Sequence, residues 1–203
     1  MDGPIPGRLT VLVGPSGVGK GTVAALLAGR YPQVFLSVSA TTRTARPGES
    51  DGHNYRFVTP VAFEAAVARG EMLEWAVYDG QLYGTPRAPV EAALAAGRPA
   101  LLEIDLVGAR QVRAAMPDSL ALFLLPPTWQ ELQRRLVERG TENPTRLAAR
   151  LARAKEEIAA SDEFDAVVVN GELDRTVEQV ASLMGLTPSA HQRADLPASS
   201  EGC

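Results

Sequence analysis

The chain has 203 residues, 45% of them apolar, and its 20 Lys and Arg against 24 Asp and Glu leave a formal charge of −4. This is enough apolar chain to bury one core as a single domain, and mild acidity without any block of Lys or Arg lacks the electrostatic footprint of a nucleic-acid binder. The single cysteine, Cys203, excludes an internal disulfide framework and a cysteine-based zinc site. Met1 to Gly7 has no apolar h-region, and no run reaches the roughly 18 apolar residues of a membrane span, so a cytoplasmic protein is expected.

The first element is a strand over Leu9 to Val13, followed directly by Gly14-Pro15-Ser16-Gly17-Val18-Gly19-Lys20-Gly21-Thr22 and a helix-like run from Val23 to Arg30. Strand, glycine-rich loop, lysine and helix in this order form a phosphate cradle. The glycines let backbone N–H groups curl around a polyphosphate, the helix presents its positive end, and Lys20 adds a mobile charge. The spacing fits G-x-x-x-x-G-K at Gly14, Gly19 and Lys20, which makes this nucleotide chemistry. The next position, where a hydroxyl usually meets a magnesium ion, is Gly21, and the nearest hydroxyl is on Thr22. Thr22 or a water is the expected substitute.

Between Ser37 and Thr85 the text turns polar and rich in Thr, Arg and Gly, with scattered aromatics and one helix near Val61 to Arg69, which reads as a small inserted subdomain. Further strands are expected near Ala100 to Ile104, Leu120 to Leu125 and Ala166 to Val169. Their alternation with helices argues a parallel α/β sheet. Trp129 to Glu163 is helical and charged, broken at Gly140 to Pro144, so two hinged helices could act as a lid. After Leu186 periodicity ends, and a disordered tail over 187–203 is expected. His53 and His191 show no spacing that suggests a metal ligand or base, and Trp75 and Trp129 read as packing residues.

The most diagnostic segment is Ser37-Val-Ser39-Ala-Thr-Thr-Arg43-Thr-Ala-Arg46-Pro-Gly-Glu49, followed by Asp51-Gly-His-Asn-Tyr55-Arg-Phe57. With Glu74-Trp-Ala, Tyr83-Gly-Thr85, Glu103-Ile-Asp105 and Arg135-Leu-Val-Glu-Arg139-Gly-Thr-Glu142, the chain resembles guanylate kinase from about Leu9 to Leu183. The resemblance implies transfer of the γ-phosphoryl group of ATP to GMP, with magnesium, on a P-loop NTPase-type parallel sheet flanked by helices. It implies a domain over 7–186. The core would comprise 7–38, 86–126 and 164–186, with a GMP-binding subdomain over 39–85 and a helical lid over about 127–163. ATP and GMP are the partners it implies, with no nucleic acid and no membrane.

The residue chemistry agrees. Arg43, Arg46, Tyr55 and Tyr83 suit a phosphate monoester, because guanidinium forks grip its oxygens and phenols donate further bonds. Glu74 sits in the apolar run Met72 to Tyr78, where a carboxylate needs a donor. Guanine offers two, its N1–H and exocyclic amine, with Ser39 and Thr85 able to supply hydroxyls on the O6 side. The alternative is a glutamate on the solvent side of a strand. Asp105 lies at the carboxyl edge of the sheet, where orienting an arginine, touching the guanine amine and standing behind the magnesium are all open. The family's partner aspartate is Glu103 here. Resemblance singles out Arg139 and Arg150 as the pair that swings over the phosphates, ahead of Arg135 and Arg146, and places Asn170 near the adenine. Lys20, Arg43, Arg139 and Arg150 are thus the catalytic candidates. Two rival readings are a non-catalytic guanylate-kinase-like interaction module and a P-loop kinase acting on another phosphorylated small molecule.

Overall fold

The structure, a computed structural model, describes residues 7–138 and 144–187. Arg139, the break at Gly140 to Asn143, the side chain of Arg146, and the tail with His191 and Cys203 lie outside the described residues.

The centre is a five-stranded sheet in the order β2-β7-β1-β8-β9, formed by Phe35–Leu36 (β2), Ala100–Glu103 (β7), Leu9–Val13 (β1), Leu120–Leu125 (β8) and Ala166–Val169 (β9). All its pairings are parallel. All five residues of β1 are buried, because both faces of the sheet are covered. Alternation then divides them. Leu9, Val11 and Val13 join Leu102, Val112 and Phe123 on one face, while Leu12 joins Leu101, Leu122 and Leu124 on the other. On the Leu12 side the sheet is covered by α1 (Lys20–Arg30) and α7 (Leu173–Leu183), which contribute Val23, Leu27, Val177 and Val180. On the Val11 side it is covered by α3 (Arg87–Ala95) and α4 (Leu106–Ala115). The two-residue strand β2 is an element that the sequence reading did not include.

A second sheet, in the order β4-β3-β6-β5, is built from Arg56–Phe57 (β4), Ala40–Thr41 (β3), Gln81–Pro86 (β6) and Met72–Tyr78 (β5). Helix α2 (Pro60–Ala68) connects β4 to β5, starting at an N-cap where the Thr59 hydroxyl accepts from the N–H of Ala62. The β5–β6 hairpin turns on Asp79 and Gly80, both at positive φ (50° and 73°). That is the geometry Asp-Gly supplies in a two-residue hairpin loop. Helix α4 fastens the outer edge of this sheet: the Gln111 side chain accepts from the N–H of Trp75 and donates to its carbonyl.

The remaining helices, α5 (Trp129–Glu138) and α6 (Pro144–Ala159), lean on the Leu12 face through Leu132, Leu136 and Ala154. Among the described residues no helix is long and apolar enough to cross a membrane.

Candidate active site

A cavity of roughly 360 Å³ opens between the carboxyl ends of β1 and β7 and the inner face of the second sheet. That is the size class of a small-molecule site, in the place where open parallel sheets bind ligands.

Its floor is the glycine-rich loop. Gly19 is left-handed (φ 101°), and a Cβ there would lie 2.7 Å from Nδ2 of Asn170, so only glycine fits. The Lys20 ammonium donates to the carbonyls of Gly14 (2.7 Å) and Pro15 (3.4 Å), holding the loop from within. Arg150 of α6 reaches the same loop, its Nη2 donating to the Ser16 hydroxyl at 2.6 Å.

The second sheet forms the opposite wall. A register shift between Met72 and Glu74 buries both Leu73 and Glu74, after which alternation sends Glu74, Ala76 and Tyr78 into the cavity and Trp75 and Val77 outward. Trp75 is therefore 38% exposed, which corrects its reading as a packing residue, whereas Trp129 packs against the core. Glu74 is 4% exposed and its Oε1 accepts from the hydroxyl of fully buried Thr85 at 2.7 Å. Burial, partly offset by that hydrogen bond and reinforced by nearby Asp105, pushes the Glu74 carboxyl up to about 7. Thr85 thus stands behind the carboxylate and does not line the cavity, unlike Ser39. Its hydroxyl proton is spent on Glu74.

The other carboxylate oxygen of Glu74 rests against Gly108, in the first turn of α4, where a Cβ would collide with Oε2. Gly108→Ala is expected to displace the carboxylate and raise about tenfold the KM of a substrate that meets Glu74, with the KM of one bound on the glycine-rich loop little changed. Steady-state kinetics with each substrate varied in turn check this.

Arg43 is held ready. Its Nη1 and Nη2 donate to the two carboxylate oxygens of Glu49, both at 2.9 Å, and its guanidinium lies over the rings of Tyr55 and Phe57. The Glu49 hydrogen bonds hold Arg43 more firmly charged than usual, and reciprocally keep the Glu49 carboxyl below its ordinary range. The Arg46 backbone N–H donates to the same Glu49. Tyr55 and Tyr83 meet edge to face at 5.9 Å, and both line the cavity with Arg43 and Arg46. Exposed His53, read as incidental in the sequence, lines it too.

Asp105 does not extend β7, which ends at Glu103; it caps α4, its Oδ1 accepting from the Gly108 N–H at 2.9 Å. Glu103 faces the cradle, and a Cβ on Gly21 would lie 3.1 Å from its Oε2. Thr22 is not brought to these carboxylates. One residue further along α1 is about 100° around the helix, and Thr22 instead lines a second cavity with Gly17, Gly19, Arg135 and Asn170. In that cavity Asn170 and Arg135 both donate to the Val18 carbonyl, at 2.7 and 3.0 Å.

Two residues of the site gave no sequence signal. Arg153 of α6 donates to Oδ2 of Asp105 (2.9 Å) and to Oε1 of Glu157 (3.2 Å), and its guanidinium lies 4.7 Å from the centre of the Tyr78 ring. Glu157 is 7% exposed, faces the main cavity, and is pushed up mainly by burial, with Lys20 pulling the other way.

The guanylate kinase family model matches residues 6–186. A guanylate kinase of Synechococcus sp. (strain CC9902) is 55% identical over 89% of this chain and 96% of its own length. One from Thermobifida fusca (strain YX) is 55% identical over 88% of this chain and 91% of its own. The crystal structure of guanylate kinase from Anaplasma phagocytophilum superposes with a TM-score of 0.75 at 32% identity, covering 89% of this chain and 86% of that one. A phosphate cradle, a buried carboxylate facing it across one cavity, and these likenesses along nearly the whole described chain agree: the protein belongs to the guanylate kinase family.

Proposed function

We propose that the chain transfers the γ-phosphoryl group of ATP to GMP, giving ADP and GDP, with the acceptor in the cavity that Glu74 lines and the adenosine end of ATP in the one that Thr22 and Asn170 line. The observation that carries this reading is the buried Glu74 carboxylate across the cavity from the Lys20 loop. An ionised carboxylate pairs with the N1–H and 2-amino group of guanine, whereas adenine has an acceptor at N1 and no 2-amino group.

The acceptor phosphate is already an anion, so no strong general base is required, and catalysis is positioning plus charge neutralisation. Glu74, fixed by Thr85 and Gly108, sets the base, with Ser39 on its O6 side. Arg43, Arg46, Tyr55 and Tyr83 hold the phosphate, aiming one of its oxygens at the γ-phosphorus. That P–O bond forms as the bond to the ADP oxygen breaks. Lys20 leaves the loop carbonyls to follow the charge, and Arg150 covers the phosphates from α6. Arg139, outside the described residues, joins Arg150 in this reading. Closure of α5 and α6 excludes water, which would otherwise take the place of GMP.

Magnesium fits the residues present. Glu103 and Asp105 offer carboxylates on the same cavity as Lys20, and the side-chain space beside Gly21 is filled by Glu103. Among the described residues no three acidic, His or Cys side chains cluster to cage a metal by themselves, which suits an ion held mostly by phosphate and water. When bound, it neutralises and orients the ATP phosphates. Because Thr22 lines the other cavity, Thr22→Ala is expected to leave the magnesium dependence of the rate unchanged, whereas Glu103→Gln shifts it to higher concentration. Titrating magnesium at fixed ATP decides between them. A cytoplasmic location suits this pair of soluble substrates.

The test is ADP release from ATP and magnesium with GMP, AMP, UMP or CMP offered in turn, beside a control with no acceptor. Release dependent on GMP alone is the expected result. Nucleotide binding with no acceptor-stimulated release would overturn it.

A further inference from the structure

Arg150 and Arg153 stand one helical turn apart on α6, so they share a face. Arg150 touches the phosphate cradle at Ser16, and Arg153 touches the acceptor wall at two points. One point is Asp105, whose carboxylate is divided between two elements: Oδ1 holds the first turn of α4 at Gly108, and Oδ2 holds Arg153. The other is Tyr78, whose ring meets Tyr83 edge to face at 6.3 Å, and Tyr83 in turn meets Tyr55. Gly108 is where the Glu74 carboxylate rests. One side chain on α6 is therefore linked both to the turn that seats the base-reading carboxylate and to the aromatic row beside the acceptor arginines. Glu157, on the same helix, fixes the Arg153 guanidinium through Nε.

Arg153 does not itself line the cavity, although Asp105, Tyr78 and Glu157 do. Its ion pair with Asp105 is also too exposed to act as a structural staple, with side-chain exposures of 34% for Arg153 and 24% for Asp105; the pair with buried Glu157 stays within α6. A contact that contributes little to folding but joins two substrate subsites through one rigid helical turn suits a coupling element.

We propose that Arg153 is a positioning residue that couples the two substrates: by gripping Asp105 and covering Tyr78 from the turn that carries Arg150, it makes bound ATP and bound GMP favour each other. The inference rests on the assignment of the Glu74-lined cavity to GMP. Linkage requires the effect to be reciprocal, so either ligand can report it.

The experiment measures GMP binding to the full chain by calorimetry, with and without a non-hydrolysable ATP analogue and magnesium. In the unaltered protein GMP is expected to bind about 5- to 50-fold tighter when the analogue is present. In Arg153→Ala that ratio should fall to about one, and a melting curve taken alongside separates this from any stability lost when buried Glu157 loses its partner. Arg153→Lys should recover part of the ratio, since it retains the charge toward Asp105 but not the fork. Tyr78→Leu should lower it, and Tyr78→Phe, which keeps the ring, should not. If Arg153→Ala fails to fold, the Lys and Leu variants carry the test. A ratio unchanged in Arg153→Ala, or a ratio of one in the unaltered protein, overturns the proposal. Glu74→Gln separates the two failures. Loss of GMP binding there with an intact ratio in Arg153→Ala sinks the coupling alone, whereas GMP binding unaffected by Glu74→Gln removes the acceptor assignment and the coupling with it.

Discussion

Lys20→Ala is expected to lower kcat by about 10³-fold while the KM for GMP moves by no more than about threefold. The geometry requires this asymmetry. The Lys20 ammonium lies on the carbonyls of Gly14 and Pro15, on the cradle side of the cavity, whereas the groups assigned to GMP belong to the second sheet, the segments flanking β3, and the start of α4. An ammonium that follows charge onto the transferring phosphoryl group stabilises the transition state more than the ground state, so its loss appears in kcat. Stability should change little, because the ammonium is only part-buried and water can satisfy the carbonyls it leaves. Lys20→Arg is not a rescue, since the planar guanidinium cannot replace a compact charge beside the loop. Steady-state kinetics with each substrate varied, alongside a melting curve, decide the matter. A GMP KM rising in step with the fall in kcat would move Lys20 to the acceptor side.

Much of this site was legible in the sequence because backbone demands write themselves in residue types. The mostly apolar run Leu9 to Val13 followed by glycines and a lysine could only be a covered strand entering a tight turn, and Gly19 shows why: a positive φ and a close asparagine leave no room for a side chain. The hairpin at Asp79-Gly80, which the sequence reading passed over, was equally open to it through its Asp-Gly pair. Strand β2 was not, because two residues carry no periodicity and its pairing with β7 is decided by the fold. The burial of Glu74 was undecidable for a related reason. In a strand of alternating faces, one bulge reverses which residues point inward, and the bulge beside Leu73 leaves no mark in composition.

Asp105 shows a different limit. An aspartate two residues past a strand could continue it or cap the next helix, and the choice falls to the cap because α4 begins at once and its Gly108 N–H needs an acceptor. Arg153 and Glu157 were hidden more deeply. On a helix with many charges each looks like a solvated surface residue, and only the packing of α6 over Asp105 and Tyr78 gives Arg153 three partners from two other elements and its own.

Glu74→Gln is expected to lower the GMP-over-AMP preference by about 10² to 10⁴-fold and to abolish one pH dependence. With its carboxyl pushed up to about 7, Glu74 in the unliganded protein is protonated below neutrality. Guanine presents two donors and needs the ionised form, so GMP affinity should fall about tenfold for each pH unit below 7 and level off above it. The acceptor phosphate also titrates near pH 6, but Glu74→Gln retains that titration, so the difference between the two profiles isolates Glu74. Stability runs the other way. Because the folded-state value is raised, the contribution of this group is fully present below the ordinary carboxylate range and is lost as pH rises through about 7. Above pH 7 the ionised, buried carboxylate costs on the order of 3 kcal/mol, a strain that bound GMP relieves by supplying donors. Glu74→Gln should therefore melt higher than the unaltered protein at pH 8 while discriminating poorly between purines. An unchanged GMP preference, or a GMP affinity flat from pH 6 to 8 in the unaltered protein, would take Glu74 out of base reading.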